Sequence, residues 1–383
     1  MTLYVTFQFC DGLHKRSRGN GVIKGEPSIR FIGVTAVTRL KDSTIFSAMT
    51  DIEDLSYHHS VSTIAGFTRE EIKKYYLDYI NLAVSMDKEI PEELVTEEQR
   101  DALLDKLADE YGGYCFDEFY ENKVYSTWSV NKFFQEILEN RKVVFEDYWS
   151  VKFGMPSIVA KYLEAVASRP EDCFANINVI IDYFMFPSSL LDMKQEVLMC
   201  QTGYLTLRST VPNGNSVRLG VPNREVRRAL EKRLSLAIFH NADSARDKVE
   251  NIFHRSSADE IVGYLNSLMN TVSYEDYKSI TEKTIQSMLH AYFIGADQPV
   301  RTEVQSATGR SDIVLEYEKR RVVFELKYAE NDQDCKRQLQ SAVTQIKDRR
   351  YGDLLPKKEV LQLALVFDGR KDARQFTCFE TVE

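Results

Sequence analysis

The 383-residue chain contains no run of eighteen apolar residues, so a transmembrane helix is not expected and no membrane partner is implied. Its first residues, Met1-Thr2-Leu3-Tyr4-Val5-Thr6-Phe7, lack the basic start and long apolar stretch of a secretory signal. The six cysteines (Cys10, Cys115, Cys173, Cys200, Cys335 and Cys378) lie far apart and form no CxxC pair. They are expected as free thiols in a reducing compartment, and their spacing assembles no zinc site. The adjacent His58 and His59 have no nearby partner in the sequence. The glycines at 19, 21 and 25 are not followed by Gly-Lys-Ser/Thr and an apolar helix, which excludes a phosphate-cradling P-loop there. Glycine (17) and proline (9) are scarce while 43% of residues are apolar and 11% aromatic, a composition that fills interiors and argues against disorder.

The net charge of −9 is unevenly spread. Residues 87–121 hold thirteen acidic and three basic side chains, a local −10, so the remainder is near neutral. Residues 208–233 hold seven basic side chains against two acidic ones, and residues 336–358 repeat that ratio. These two segments are the candidates for meeting a phosphate backbone, against the alternative of solvated helix faces.

The length predicts two or three domains. The first sixty residues read as strand and loop. Thr68 with Glu71, and Thr96 with the Glu97-Glu98-Gln99 that follow it, mark helix starts, and Tyr111-Gly112-Gly113-Tyr114 ends the second helix. Further helices are expected near 129–139, 156–168, 188–198, 223–239 and 244–269. A strand over Gln201–Leu207 is expected to pair, across Pro212-Asn213-Gly214-Asn215, with Val217-Arg218-Leu219. From residue 279 the pattern becomes helix 279–294, strands 299–304, 312–317 and 321–328, a basic helix 333–350, and strands 360–367 and 374–381. The fold class is therefore mixed α/β, with a largely helical N-terminal and middle region and a C-terminal α-β-β-β-α-β-β core.

The chemistry concentrates in that core. Strand alternation puts Glu325 and Lys327 on one face, and the charged turn Glu318-Lys319-Arg320 folds Asp312 back toward Glu325. Two carboxylates and a lysine on one sheet face suit Mg2+- or Mn2+-dependent phosphodiester hydrolysis: oxygen ligands hold a hard cation, and the amine orients the attacking water or steadies the phosphate. Glu325 follows the apolar run Val322-Val323-Phe324, so its carboxylate needs a metal or an ion-pair partner, and Lys327 alone is the structural alternative. Glu282 lies on the preceding helix on one face with Gln286 and His290, the last read as structural.

The order Glu282, Gly309-Arg310-Ser311-Asp312, Phe324-Glu325-Leu326-Lys327, Gln345-Ile346-Lys347 and Tyr351 resembles the PD-(D/E)xK nuclease superfamily. The resemblance spreads over most of the chain. Ile32-Gly33-Val34-Thr35, Ser43-Thr44-Ile45-Phe46-Ser47, Ile52-Glu53-Asp54-Leu55, Gly66-Phe67-Thr68, Tyr111-Gly112-Gly113-Tyr114, Gln201-Thr202-Gly203-Tyr204-Leu205-Thr206 and Pro222-Asn223-Arg224-Glu225-Val226 look like bacterial proteins that join an AAA-ATPase-like region to such a nuclease. It implies a restriction-endonuclease-like core at 276–383, a helical connecting region with a β-hairpin at 171–275, and an incomplete AAA-ATPase-like region with a helical lid at 1–170. The Walker A and B elements of that family have no counterpart here, so ATP hydrolysis is not expected.

On this resemblance Asp312 and Glu325 bind the metal with the Leu326 carbonyl, and Glu282 contributes through water or to a second ion. Lys327 sits by the attacking water, Gln345 positions water or phosphate, and Arg310, Lys347, Arg349, Arg350 and Tyr351 meet the nucleic acid. The expected substrate is DNA, with RNA the weaker alternative. Related nuclease modules occur in toxins with dedicated antidotes, the cytoplasmic-incompatibility factors among them. The alternative to catalysis is therefore a silent nuclease fold bound by a protein partner. The expected location is the bacterial cytoplasm, or a host cell reached without a classical signal peptide.

Overall fold

A computed structural model describes residues 55–149, 157–167, 170, 173–174, 177–185, 193–211, 214–239, 246–272, 280–306, 309–349, 358–370 and 373–382, with side chains described except at 158, 302–311 and 349. The expected strand-and-loop start, the motifs at 32–35, 43–47 and 52–54, the first part of the 188–198 helix, Pro212-Asn213, and Arg350 and Tyr351 lie outside the described residues. So do the side chains of Arg310 and Arg349. Two compact units divide the chain: one of residues up to Val159 with Phe174–Arg227, the other of Ala160–Cys173 with Arg228 onward. Helices from the expected 171–275 segment contribute to both.

In the first unit, α1 (Arg69–Tyr75), α2 (Leu77–Lys88), α3 (Glu97–Tyr111) and α4 (Thr127–Asn140) share a core that includes Ile72, Ile80, Leu104, Leu107, Phe133 and Ile137. Helices α1 and α3 start on capping boxes, Thr68 with Glu71 and Thr96 with Gln99. α3 stops at Gly112. Gly113 has φ +79, and a Cβ there would run into the Pro222 carbonyl oxygen, so this break requires glycine.

Next come α5 (Ser157–Val166), β1 (Ile177–Ile180), α6 (Ile181–Met185), α7 (Gln195–Gln201), β2 (Thr206–Thr210) and β3 (Ser216–Gly220). The strands form an antiparallel sheet in the order β1-β3-β2. The strand expected over 201–207 is corrected: α7 runs to Gln201, and Gly203 at φ +85 turns the chain while Tyr204 N–H reaches the Met199 carbonyl (2.9 Å). A left-handed glycine that satisfies the last helical carbonyls competes locally with strand pairing, and here it wins.

The second unit holds most of α8 (Arg224–Phe239), then α9 (Arg246–Arg255), α10 (Ala258–Met269), α11 (Glu282–Gly295), β4 (Val300–Ser306), β5 (Gly309–Glu316), β6 (Arg320–Ala329), α12 (Asp332–Arg349), β7 (Glu359–Asp368) and β8 (Gln375–Val382). The single helix expected over 244–269 is two helices. Ser257 and Glu260 form a capping box that starts α10 afresh, since the serine oxygen and the glutamate satisfy amides that a continuous helix would have used.

The expected α-β-β-β-α-β-β series is present from α11 onward, with strands in the order β4-β5-β6-β7-β8. All neighbours are antiparallel except β6 and β7, which run parallel and are joined through α12. One sheet face packs Val314, Val323, Ala364 and Val382 against Ala342, Val343 and Ile346 of α12. On the other, the Phe324 ring lies 6.2 Å from those of Phe253 (α9) and Phe293 (α11). By the pleat, Glu325 and Lys327 belong to the face of Val323, the one α12 covers.

Candidate active site

Strand β6 is central and apolar, yet it carries Glu325, which is 0% exposed. Two residues along the same face, the Lys327 ammonium donates to Glu325 Oε1 (3.3 Å). The same ammonium donates to Glu282 Oε1 (3.3 Å) at the start of α11 and to the Leu326 carbonyl (3.0 Å). These three contacts match the three protons of an ammonium. Burial by itself would push the Lys327 pKa down; Glu325, Glu282 and Asp312 outweigh it and hold the group above the ordinary lysine range.

Asp312 enters from β5. Register pairs run Thr302 with Ile313 and Val304 with Ser311 on one side, so Asp312 lies within the span of the β4 pairing, and pairs begin at Ile313 with Phe324 on the β6 side. The Asp312 side chain and carbonyl are also met by β6 and α11. Leu326 N–H donates to Asp312 Oδ2 (2.7 Å), and Gln286 Nε2 donates to the Asp312 carbonyl (3.0 Å). A short bond to a carboxylate fixes the side chain well. One turn separates Glu282 from Gln286, so one face of α11 holds both strands of the hairpin: Glu282 through Lys327, Gln286 through Asp312.

The structure thus brings together Asp312, Glu325, Lys327, Glu282 and the Leu326 carbonyl. Gln286, which carried no role in the sequence reading, joins them; its spacing of four from Glu282 was the available signal. Gln345 is half-buried on α12, next to Ile346 in the packed face, and among the described residues no hydrogen bond joins it to the acids. Lys347 is exposed on the same helix. His290 Nδ1 lies 3.6 Å from the Glu231 carboxylate of α8.

The donor set consists of carboxylate and carbonyl oxygens, which fits Mg2+ or Mn2+ rather than a softer metal. Among the described residues no group of three or more His, Cys, Asp or Glu is gathered closely enough to hold an ion, and the Lys327 ammonium pairs with Glu282 and Glu325.

The basic segments are partly consumed by internal contacts. Arg208 donates to the carbonyls of Val221 and Pro222, Arg227 lies over Phe174, Lys232 pairs with Asp297 (3.4 Å), and Arg233 pairs with Glu164 (3.3 Å). In the second segment Arg337 pairs with Asp334, and Lys358 with Glu316 (2.7 Å). His59, without a neighbour in the sequence, pairs with Asp117 (3.1 Å). No helix among the described residues is long and apolar enough to cross a membrane.

Residues 280–377 match the family model described as the PD-(D/E)XK nuclease superfamily and carry a domain of that kind. A protein of Azotobacter chroococcum mcd 1, named "Uncharacterized protein in vnfD 5'region", is 23% identical over 345 residues, which cover 87% of this chain and 59% of that protein. The chain thus spans about three-fifths of the length of the curated relative it matches.

Proposed function

We propose, with the nuclease-superfamily domain at residues 280–377 as premise, that the chain is a Mg2+- or Mn2+-dependent endonuclease or nickase acting on DNA. The observation that carries this reading is the convergence of Asp312, Glu325, Glu282 and Lys327 where the β5–β6 ladder ends. When bound, the ion supplies charge against the phosphate and lowers the pKa of the attacking water. Asp312 and Glu325 are its holders, with the Leu326 carbonyl beside them. Glu282 directs the Lys327 ammonium into the site, where it orients the attacking water or the scissile phosphate. Lys347 is an exposed cation for the DNA backbone on the helix that also carries Gln345. ATP hydrolysis forms no part of this reading.

Purified protein with Mn2+ or Mg2+ is expected to nick supercoiled plasmid, and Asp312→Ala or Lys327→Ala to abolish nicking. Plasmid left intact across metals at low salt overturns the proposal, and parallel RNA and DNA substrates decide between the two polymers. A second reading, a nuclease fold serving as a binding scaffold for a protein such as an antidote, is favoured by Lys327 already pairing with the acids and by the internally paired basic side chains. A stoichiometric partner retained by Asp312→Ala, from a protein without nicking activity, supports it.

A further inference from the structure

Apart from the acidic site, helix α12 and edge strand β8 bring two thiols together. Cys335 lies in the first turn of α12 and is 2% exposed. It packs with Ala329 and Val366, and Cys378 packs against the same cluster. Cys378 is the cross-strand partner of Val366, so these two side chains share a sheet face. Val366 pairs with Cys378 and Phe367 with Phe376, which leaves Thr377 as the extra residue of a bulge. A bulge re-aims side chains, and here the Thr377 hydroxyl turns toward the same spot. Its Oγ1 is 3.5 Å from Cys335 Sγ and 4.0 Å from Cys378 Sγ, so one hydroxyl lies beside both thiols. Both cysteines are free thiols, and Cys378 is the more exposed.

We propose that Cys335 and Cys378 form an oxidative modification site, converted by a hydroperoxide into an intramolecular disulfide that ties α12 to β8. Cys378, the thiol solvent reaches, attacks the peroxide oxygen: its sulfur becomes a sulfenic acid and the hydroperoxide is reduced to an alcohol, or to water when the reagent is H2O2. The buried Cys335 sulfur then displaces that hydroxyl. The S–S bond forms, the S–O bond breaks, and the hydroxyl leaves with the Cys335 thiol proton as water. Neither step needs a metal or a residue of the acidic site.

The test treats the full-length protein with H2O2, blocks remaining thiols with iodoacetamide, and digests without reductant for mass spectrometry. A peptide pair joined through Cys335 and Cys378, lighter by two hydrogens than its reduced parts and released by dithiothreitol, is expected. Cys378→Ser and Cys335→Ser each remove it. Recovery of both cysteines alkylated, of a sulfinic acid on Cys378 without a cross-link, or of Cys378 joined to a different cysteine overturns the proposal. The unmutated chain decides the matter, so a variant that misfolds leaves the result intact.

Discussion

Lys327→Met removes the ammonium from the acidic cluster while keeping most of the side chain's volume. Two carboxylates lie at the same 3.3 Å from Nζ, but they are not equivalent. Glu282 has 44% of its side chain exposed, so solvent screening limits that pair to under ~1 kcal/mol. Glu325 is 0% exposed and Lys327 12%, so their attraction, about 5 kcal/mol at an effective dielectric near 20, is little screened. Breaking a buried pair by deleting one partner costs about 3–5 kcal/mol. The Glu325 pair therefore dominates, and the variant should lose about 3–4 kcal/mol of stability at pH 8.

The pH dependence follows from the carboxylate left behind. Without the ammonium, burial raises the Glu325 pKa in the folded variant above its unfolded value. Stability is then fully present below the unfolded pKa and is lost as pH rises through the folded one, so the deficit should shrink to roughly 1 kcal/mol by pH 4.5. Urea melts of both proteins at pH 4.5 and pH 8 measure this. An equal deficit at the two pH values, or one below ~1 kcal/mol at pH 8, refutes the electrostatic account. Mg2+ should stabilise the variant by about 2.7 kcal/mol at a hundred times its dissociation constant for that protein.

Gln286→Ala removes the donor to the Asp312 carbonyl; it should cost about 1 kcal/mol in stability and lower plasmid nicking at least about tenfold, and undiminished nicking would show that Asp312 needs no such support. In the first unit, burial pushes the Glu225 carboxyl up to about 7 despite bonds from the Ser129 hydroxyl and the Tyr148 and Trp149 amides. Its folded pKa is raised, so its contribution should be fully present below the ordinary carboxylate range and fall by roughly 3 kcal/mol as pH climbs from about 4.5 to just above 7; Glu225→Gln should flatten the profile, and an unchanged slope in thermal melts would exclude this source. Ser257→Ala deletes the cap of α10 and should cost about 1 kcal/mol in urea unfolding, whereas no loss would mean that packing alone separates α9 from α10.

Features set by near neighbours in the chain were legible in advance. Alternation along β6 put Glu325 and Lys327 on one face, the short turn after β5 returned Asp312 to them, and the boxes at Thr68 and Thr96 started their helices. Misreadings arose where two local signals competed, as at Ser257, or where a left-handed glycine ended a helix inside an apolar stretch, as at Gly203.

Charge was the least legible property. The basic segments read as free cations, yet Lys358 meets Glu316 from 42 residues away, and Arg208 is spent on backbone carbonyls. Residue types, strand pairing and one face of two acids and an amine were thus determined by sequence. Only tertiary structure decided that Glu282 and Gln286 reach that face, that the Leu326 amide fixes the Asp312 carboxylate, and that two distant cysteines meet across a bulge. Spacing of two or four residues is dictated by strand and helix geometry, whereas contacts across tens of residues depend on how packed elements close on one another.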